Sequence, residues 1–229
     1  MLKKISLFSI LSVFLLSGCS NFRNVIGGCP DGEVKWIDVL KFNDIKYEGD
    51  NAGLSEGEIE TGKKIGEVKF NLADNACSNH KLKNGDAAYL PVGTEIYELV
   101  GYRSDFRVVA DNRVYQVREN KKAKMISDLL DIKDKVEKMS YRSDYDGSHI
   151  SDFTDEETKE FVEDFLSLEN LGYEKVEKKI TDTNRVFLQI HLKDGSSFRI
   201  VYWLDENVLS TGAFGTEKMK RIVENKVDN

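Results

Sequence analysis

The sequence has little of what marks several protein classes: three cysteines, three histidines and no surplus of positive charge among 229 residues. Its apolar stretch Ile5–Leu16 has twelve residues, whereas a membrane-spanning helix needs about twenty. Lys and Arg number 33 against 40 Asp and Glu, a net charge of −7. Nucleic acid is therefore not an expected partner, because phosphate binding needs a clustered positive surface. With 40% hydrophobic and 10% aromatic residues, the chain can nevertheless bury a core.

The first nineteen residues have the features of an export signal. Lys3 and Lys4 give the N-terminus a positive charge, and the apolar stretch after them has the length of a signal peptide's hydrophobic region. Leu16-Ser17-Gly18-Cys19 follows directly, and this tetrapeptide resembles the lipobox of bacterial lipoproteins. The resemblance implies cleavage of residues 1–18 and acylation of the Cys19 thiol. The alternative is an ordinary cleavable signal in which Cys19 has no role.

An acylated Cys19 would decide where the protein resides. Removal of residues 1–18 leaves 211 residues with a net charge of −9, because Lys3 and Lys4 are lost. Two or more acyl chains anchor a protein stably, whereas one chain binds a membrane only marginally. We therefore expect a palmitate-bearing lipoprotein on the extracytoplasmic face of the cell membrane, with residues 19–32 as the anchor and a short tether.

The two remaining cysteines, Cys29 and Cys77, form an even pair in an exported chain. A disulfide between them would close a loop of about 49 residues and, on the chain-entropy model, stabilise the fold by about 4 kcal/mol. Two separate thiols are the alternative. Neither cysteine has a CxxC or HxxxH neighbour, so the sequence predicts no metal site, and we expect no cofactor.

Residues 33–120 carry the signals of short β-strands and are predicted to form one domain. Apolar residues alternate with polar ones, and strands are indicated at 94–100, 106–109 and 114–117. Their even spacing favours a small barrel or sandwich. Residues 90–118, which begin Leu-Pro-Val-Gly-Thr-Glu-Ile, resemble the middle of a bacterial SH3-like barrel.

Residues 121–229 change character and are predicted to form a second domain of helices around strand pairs, so that the whole chain is α+β. A short helix is indicated at 121–130, and a strand pair turns at Asp146-Gly147. Thr154 and Glu157 form a capping box for a further helix.

The spacing of apolar residues predicts the remaining helices of this second domain. The capped helix is expected to end near Gly172, and a last amphipathic helix begins near Thr216. The residues expected to be buried together are Phe161, Phe165, Leu188, Ile190, Ile200 and Tyr202.

A β-hairpin is indicated on either side of Asp194-Gly195, with apolar residues in alternation on both strands. A two-residue loop would pair Leu192 with Ser197, so that the apolar side chains of one strand would lie opposite polar side chains of the other. We therefore predict the three-residue loop Asp194-Gly195-Ser196, with Gly195 left-handed and Leu192 opposite Phe198. That register places Phe187 opposite Trp203 on the second face, which we expect to pack against the first domain. A ligand platform or an interface is the alternative for that face.

Two motifs resemble ligand loops and receive simpler interpretations. Gly57–Lys64 matches GxxxxGK, but it lacks the Ser or Thr that binds magnesium and falls in the polar loop predicted for residues 49–63. Asp144–Ser148 resembles the start of a calcium loop, but the distal glutamate is missing, and a hairpin turn explains Asp146-Gly147. A solvated loop and a turn are the expectations.

The other titratable groups do not single out a catalytic site. His80, His149 and His191 have no ligand-spaced neighbour, and no GxSxG or HExxH motif occurs. The acidic run from Asp155 to Asp164 begins at a helix N-terminus, where negative charge is favourable. We therefore expect a non-enzymatic binding module that recognises an envelope protein, a peptide or a cell-wall fragment. An envelope hydrolase with an unrecognised active site is the alternative.

Overall fold

The computed structural model describes residues 35–49, 59–181 and 184–227. These residues form fourteen strands in two sheets and five α-helices, and one of the sheets curls into a half-barrel. The mixed α+β class is confirmed, with a mostly β N-terminal half.

The first sheet contains eight strands, all from the N-terminal half. Their order across the sheet is β3-β6-β7-β8-β2-β1-β5-β4, and the pairs are antiparallel except β4 with β5. The strands are β1 (Val39–Phe42), β2 (Ile45–Gly49), β3 (Thr61–Glu67), β4 (Phe70–Asn71), β5 (Asp86–Ala87), β6 (Glu95–Leu99), β7 (Arg107–Ala110) and β8 (Arg113–Asn120).

The second sheet contains six strands, all from the C-terminal half, in the order β10-β9-β11-β12-β13-β14. They are β9 (Val136–Arg142), β10 (His149–Asp152), β11 (Arg185–Leu192), β12 (Ser197–Trp203), β13 (Val208–Leu209) and β14 (Ala213–Phe214). The helices are α1 (Leu72–Asn75), α2 (Ile126–Leu129), α3 (Asp155–Leu166), α4 (Tyr173–Val176), continued by the 3₁₀ turn Glu177–Lys179, and α5 (Glu217–Val227).

Two turns in the first sheet follow directly from their residues. Asn43 and Asp44 join β1 to β2 with φ values of 49° and 65°, and Asp111 and Asn112 join β7 to β8 with 52° and 54°. Asn and Asp tolerate positive φ, and two such residues in succession match the right-handed twist of the flanking strands. The prediction of a polar loop over residues 49–63 is wrong at its C-terminal end, because Thr61–Lys64 belong to β3 and pair with β6. Residues 50–58 lie outside the described residues.

The central hairpin of the second sheet corrects the predicted register. Leu188 and Ile190 pair with Ile200 and Phe198, so the register differs by two residues from the prediction and Phe187 lies opposite Val201. The Leu192 N–H donates to the Ser196 carbonyl and closes a three-residue loop, Lys193 to Gly195, which starts one residue earlier than predicted. Gly195 is left-handed at φ 84°, as predicted. A shift of two keeps every side chain on its predicted face, which is why the apolar rows are correct.

The capping box of α3 is confirmed. The Thr154 hydroxyl accepts a hydrogen bond of 3.1 Å from the backbone N–H of Glu157, whose carboxylate accepts one of 2.8 Å from the N–H of Thr154. The predicted helix end near Gly172 is wrong, because α3 ends at Leu166 and Gly172, at φ 82°, precedes α4. The chain turns after Ser167 because the Leu168 carbonyl accepts from the N–H of Ile126, which ties this segment to α2.

The core is continuous between the two sheets. The six residues expected to be buried together have no exposed surface and belong to one cluster. This cluster also contains Leu40 and Tyr47 of the first sheet and Phe106, which directly precedes β7. The Phe106 and Phe198 rings meet edge to face at 6.4 Å. The division into domains near residue 120 stays a prediction: each sheet comes from one half, yet the halves share a core.

Candidate functional site

The residues predicted for modification fall mostly outside the described part of the chain. Cys19 and Cys29 lie there, so acylation and the disulfide stay predictions. Cys77 is described: it is half-buried two residues after α1, and its carbonyl accepts a hydrogen bond of 2.9 Å from the N–H of His80.

Each histidine has a local partner. His80 Nε2 is 2.7 Å from an Asp86 carboxylate oxygen, and its ring stacks on Phe70. His149 Nε2 is 2.8 Å from a carboxylate oxygen of Asp152. Residues 35–49, 59–181 and 184–227 contain no cluster of three His, Cys, Asp or Glu residues able to hold a metal ion.

The two motifs that resemble ligand loops have structural roles. Within Gly57–Lys64, the residues from Thr61 onward lie on a strand instead of opening a helix, and Gly57 lies outside the described residues. The turn at Asp146-Gly147 is confirmed: Asp146 accepts a hydrogen bond of 3.0 Å from the N–H of Ser148, and such bonds lower the pKa of this carboxyl to about 2.

The acidic run on α3 is paired with α5. Lys218 Nζ lies 3.2 Å from a carboxylate oxygen of Asp164, and Lys226 Nζ lies 3.6 Å from one of Glu157. These ion pairs join the two helices that cover the second sheet.

Ser140 and His191 form the nearest approach to a catalytic pair. The Ser140 Oγ is 2.9 Å from His191 Nε2 across β9 and β11. Burial, together with Lys138 and Arg142, lowers the pKa of His191, so the imidazole is neutral and able to accept a proton. Ser140, however, is 0% exposed. In this arrangement a substrate carbonyl cannot reach the Ser140 hydroxyl.

A cleft of about 590 Å³ is lined by residues of both halves and is here called the inter-half cleft. One wall comes from β2 and β8, and the other comes from the segment between α3 and α4 and from Thr211. Clefts at the junction of structural units are preferred positions for ligand sites. Arg118 lines the inter-half cleft: the guanidinium carbon lies 5.1 Å from the centre of the Tyr173 ring, and Nε is 3.7 Å from a Glu48 carboxylate oxygen.

Several polar groups of the inter-half cleft are available to a ligand. Thr211 lines it, and the Thr211 hydroxyl is buried without a hydrogen-bond partner in the described part of the chain. Lys124, Lys175, Glu169 and Glu174 also line it and form no ion pair with another described residue. A buried hydroxyl without a partner costs about 1–3 kcal/mol. The inter-half cleft thus offers unpaired charges of both signs and one buried donor.

The second face of the central hairpin is not core, contrary to expectation. Phe187, Val201 and Trp203 are half-buried and belong to none of the described core clusters. The register displaces Phe187 from Trp203, whose ring instead lies 6.4 Å from the ring of Tyr173.

Sequence reasoning missed the inter-half cleft. Arg118, Tyr173 and Thr211 are far apart in the chain and have no common motif. The one local signal that the sequence analysis used in this segment is Gly172, taken as the end of a helix.

Comparisons with protein-family models, with curated proteins and with solved structures found no match for this chain. No helix in the described ranges is long and apolar enough to cross a membrane.

Proposed function

We propose that the protein is an extracytoplasmic lipoprotein, anchored to the cell membrane through Cys19, whose folded body binds a peptide of the cell envelope without catalysing a reaction. The observation that carries the binding role is the inter-half cleft, with its unpaired charges of both signs and the buried Thr211 hydroxyl. The lipobox at Leu16–Cys19 supports the location.

A peptide fits the chemistry of the inter-half cleft. Its backbone carbonyls accept hydrogen bonds, as the Thr211 hydroxyl requires, and a chain with both charges can pair with Lys124 or Lys175 and with Glu169 or Glu174. The Tyr173 ring beside Arg118 offers a flat surface for an apolar side chain.

The anchor is tested by metabolic labelling with palmitate and by cell fractionation. Cys19→Ser should abolish the label and release the protein from the membrane fraction, whereas Ser20→Ala should leave both unchanged. A Cys19→Ser variant that still carries the label would show that Cys19 is not the acylated residue.

The cleft is tested by photo-crosslinking on intact cells, followed by mass spectrometry of the captured partner. A benzoylphenylalanine at position 173 places the reactive group in the inter-half cleft, and one at position 145 provides the control, because Tyr145 is 95% exposed on a hairpin turn away from it. We expect a discrete adduct with an envelope peptide or peptide-bearing partner at position 173 only. Identical adducts at both positions, or none, would contradict the proposal.

A hydrolase is the second candidate because of the Ser140–His191 pair. A fluorophosphonate probe reacts with a serine only when the hydroxyl is activated and accessible. We expect no labelling of Ser140, since it is fully buried. Labelling that disappears in Ser140→Ala and in His191→Gln would favour the hydrolase instead.

A further inference from the structure

The outer face of the second sheet collects arginines around an aromatic residue. Phe187 lies opposite Arg142 on one side and Val201 on the other, so these three share a face. Arg185 and Arg199 belong to the same face, because they lie two residues from Phe187 and from Val201 on their strands. We call Arg142, Arg185, Phe187, Arg199 and Trp203 the arginine face.

The guanidinium groups of the arginine face are not neutralised by carboxylates. Within the described ranges, Arg142, Arg185 and Arg199 form no ion pair. Arg142 Nε donates to the Gly147 carbonyl at 2.8 Å, and the guanidinium carbons of Arg185 and Arg199 lie 5.4 Å and 4.5 Å from the centre of the Phe187 ring. The carboxylate of Asp152, at the edge of this face, is held by Lys138 and His149.

This concentration of positive charge stands out in a chain with a net charge of −7. Arginine is more weakly hydrated than lysine, and its planar fork of N–H donors matches two oxygens of a phosphate. A sheet face with three such groups is therefore complementary to a surface covered with phosphates.

One end of the arginine face, at Trp203, borders Tyr173 of the inter-half cleft. Ile37, close to the start of the described body, lines the inter-half cleft together with Tyr173, whose ring is 6.4 Å from that of Trp203. Fifteen residues separate Cys19 from Lys35, so an anchor at Cys19 would keep the body near the bilayer. The positive charge of the arginine face would then decide which side of the body meets anionic headgroups.

We propose that the arginine face docks the body onto anionic phospholipid headgroups and so orients the protein on the membrane. The orientation rests on the proposed anchor at Cys19, but the affinity of the face for lipid does not. A result that contradicts the anchor can therefore be distinguished from a result that contradicts the lipid affinity of the arginine face.

The test uses the chain from Ser20 onward, which lacks the anchor and retains every residue of both sheets and of the core. Its partitioning is measured by co-sedimentation with vesicles of phosphatidylglycerol and phosphatidylcholine, and with vesicles of phosphatidylcholine alone. The test variant is Arg185→Gln/Arg199→Gln. The control is Lys81→Gln/Arg221→Gln, which removes the same charge from two exposed residues outside this face.

We expect binding to the anionic vesicles only, weakened by added salt. Each basic residue near an anionic surface contributes about fivefold, so the test variant should bind about 25-fold more weakly, whereas the control should bind within about twofold of the unchanged chain. Equal losses in both variants, no binding, or binding to soluble long-chain polyphosphate without binding to the vesicles would each overturn the proposal. Loss of palmitate labelling in Cys19→Ser is scored separately and tests only the anchor.

Discussion

Arg107 donates a hydrogen bond of 2.7 Å from Nη1 to the Ser196 hydroxyl, and this bond joins the first sheet to the central hairpin of the second. Arg107 has no exposed surface, and its Nε and Nη2 both donate to the Gln116 side-chain carbonyl, at 2.9 Å and 2.8 Å. Its guanidinium also lies 4.9 Å from the centre of the Phe106 ring. The two halves are therefore held together by a buried charge as well as by apolar contacts.

Ser196→Ala should destabilise the protein. The change leaves a buried guanidinium N–H without its acceptor and also removes the hydroxyl that donates to Asp194 at 2.6 Å. We expect the free energy of unfolding in urea to fall by about 1–3 kcal/mol. Ser127→Ala, on an exposed residue of α2, should change it by no more than about 0.5 kcal/mol. Equal effects of the two changes would show that the bond contributes nothing.

The fragment 121–229 should fold by itself, with a lower unfolding temperature than the whole chain. It contains all six strands of the second sheet, together with α3 and α5. It loses the cover that Phe106 and Arg107 give to Phe198 and Ser196. Circular dichroism during heating measures both properties. An unfolded fragment would show that the shared core makes the chain one domain.

Thr154→Ala should cost about 1 kcal/mol of unfolding free energy, because it removes the acceptor for the N–H of Glu157 at the start of α3. Thr154→Ser keeps the hydroxyl and should restore most of the loss. If the serine variant is as unstable as the alanine variant, the hydroxyl is not the source of the effect.

His191 should make stability depend on pH below neutrality. Burial, with Lys138 and Arg142 nearby, lowers the pKa of His191 from 6.5 in the folded protein. As the pH falls below this ordinary value, the unfolded chain therefore binds a proton that the folded chain does not, and the unfolding free energy decreases until the pH passes the folded pKa. Urea unfolding at about pH 7.5 and about pH 5.5 should show a larger decrease for the unchanged protein than for His191→Gln. Equal decreases in the unchanged protein and in His191→Gln would show that His191 is not the source of the pH dependence.

A bridge between Cys29 and Cys77 should protect both thiols. Alkylation of the purified chain from Ser20 onward should modify neither cysteine without reductant and both after reduction. Cys29→Ser should expose the Cys77 thiol to the reagent. Modification of Cys77 in the unreduced, unchanged chain would rule out the bridge.

Much of the local structure could be predicted because its causes lie within a few residues. The capping box of α3 needs only Thr154 and Glu157, and the left-handed Gly195 is indicated by its own turn. The alternation that separates Leu188 and Ile190 from Phe187 determines which side chains are buried. The end of α3 was missed because its cause is distant: the Leu168 carbonyl accepts from Ile126.

The inter-half cleft could not be predicted from local sequence patterns, for the same reason. Arg118, Tyr173 and Thr211 meet only because the two halves pack around one core.

The sequence alone determined the α+β class and the buried faces of the central hairpin, since these depend on composition and on a period of two. Only the tertiary structure decided the register of the central hairpin, the burial of Arg107 and the meeting of Arg142, Arg185 and Arg199 on one face. The physical reason is that a net charge of −7 is a sum over the chain, whereas the local field depends on which strands lie side by side.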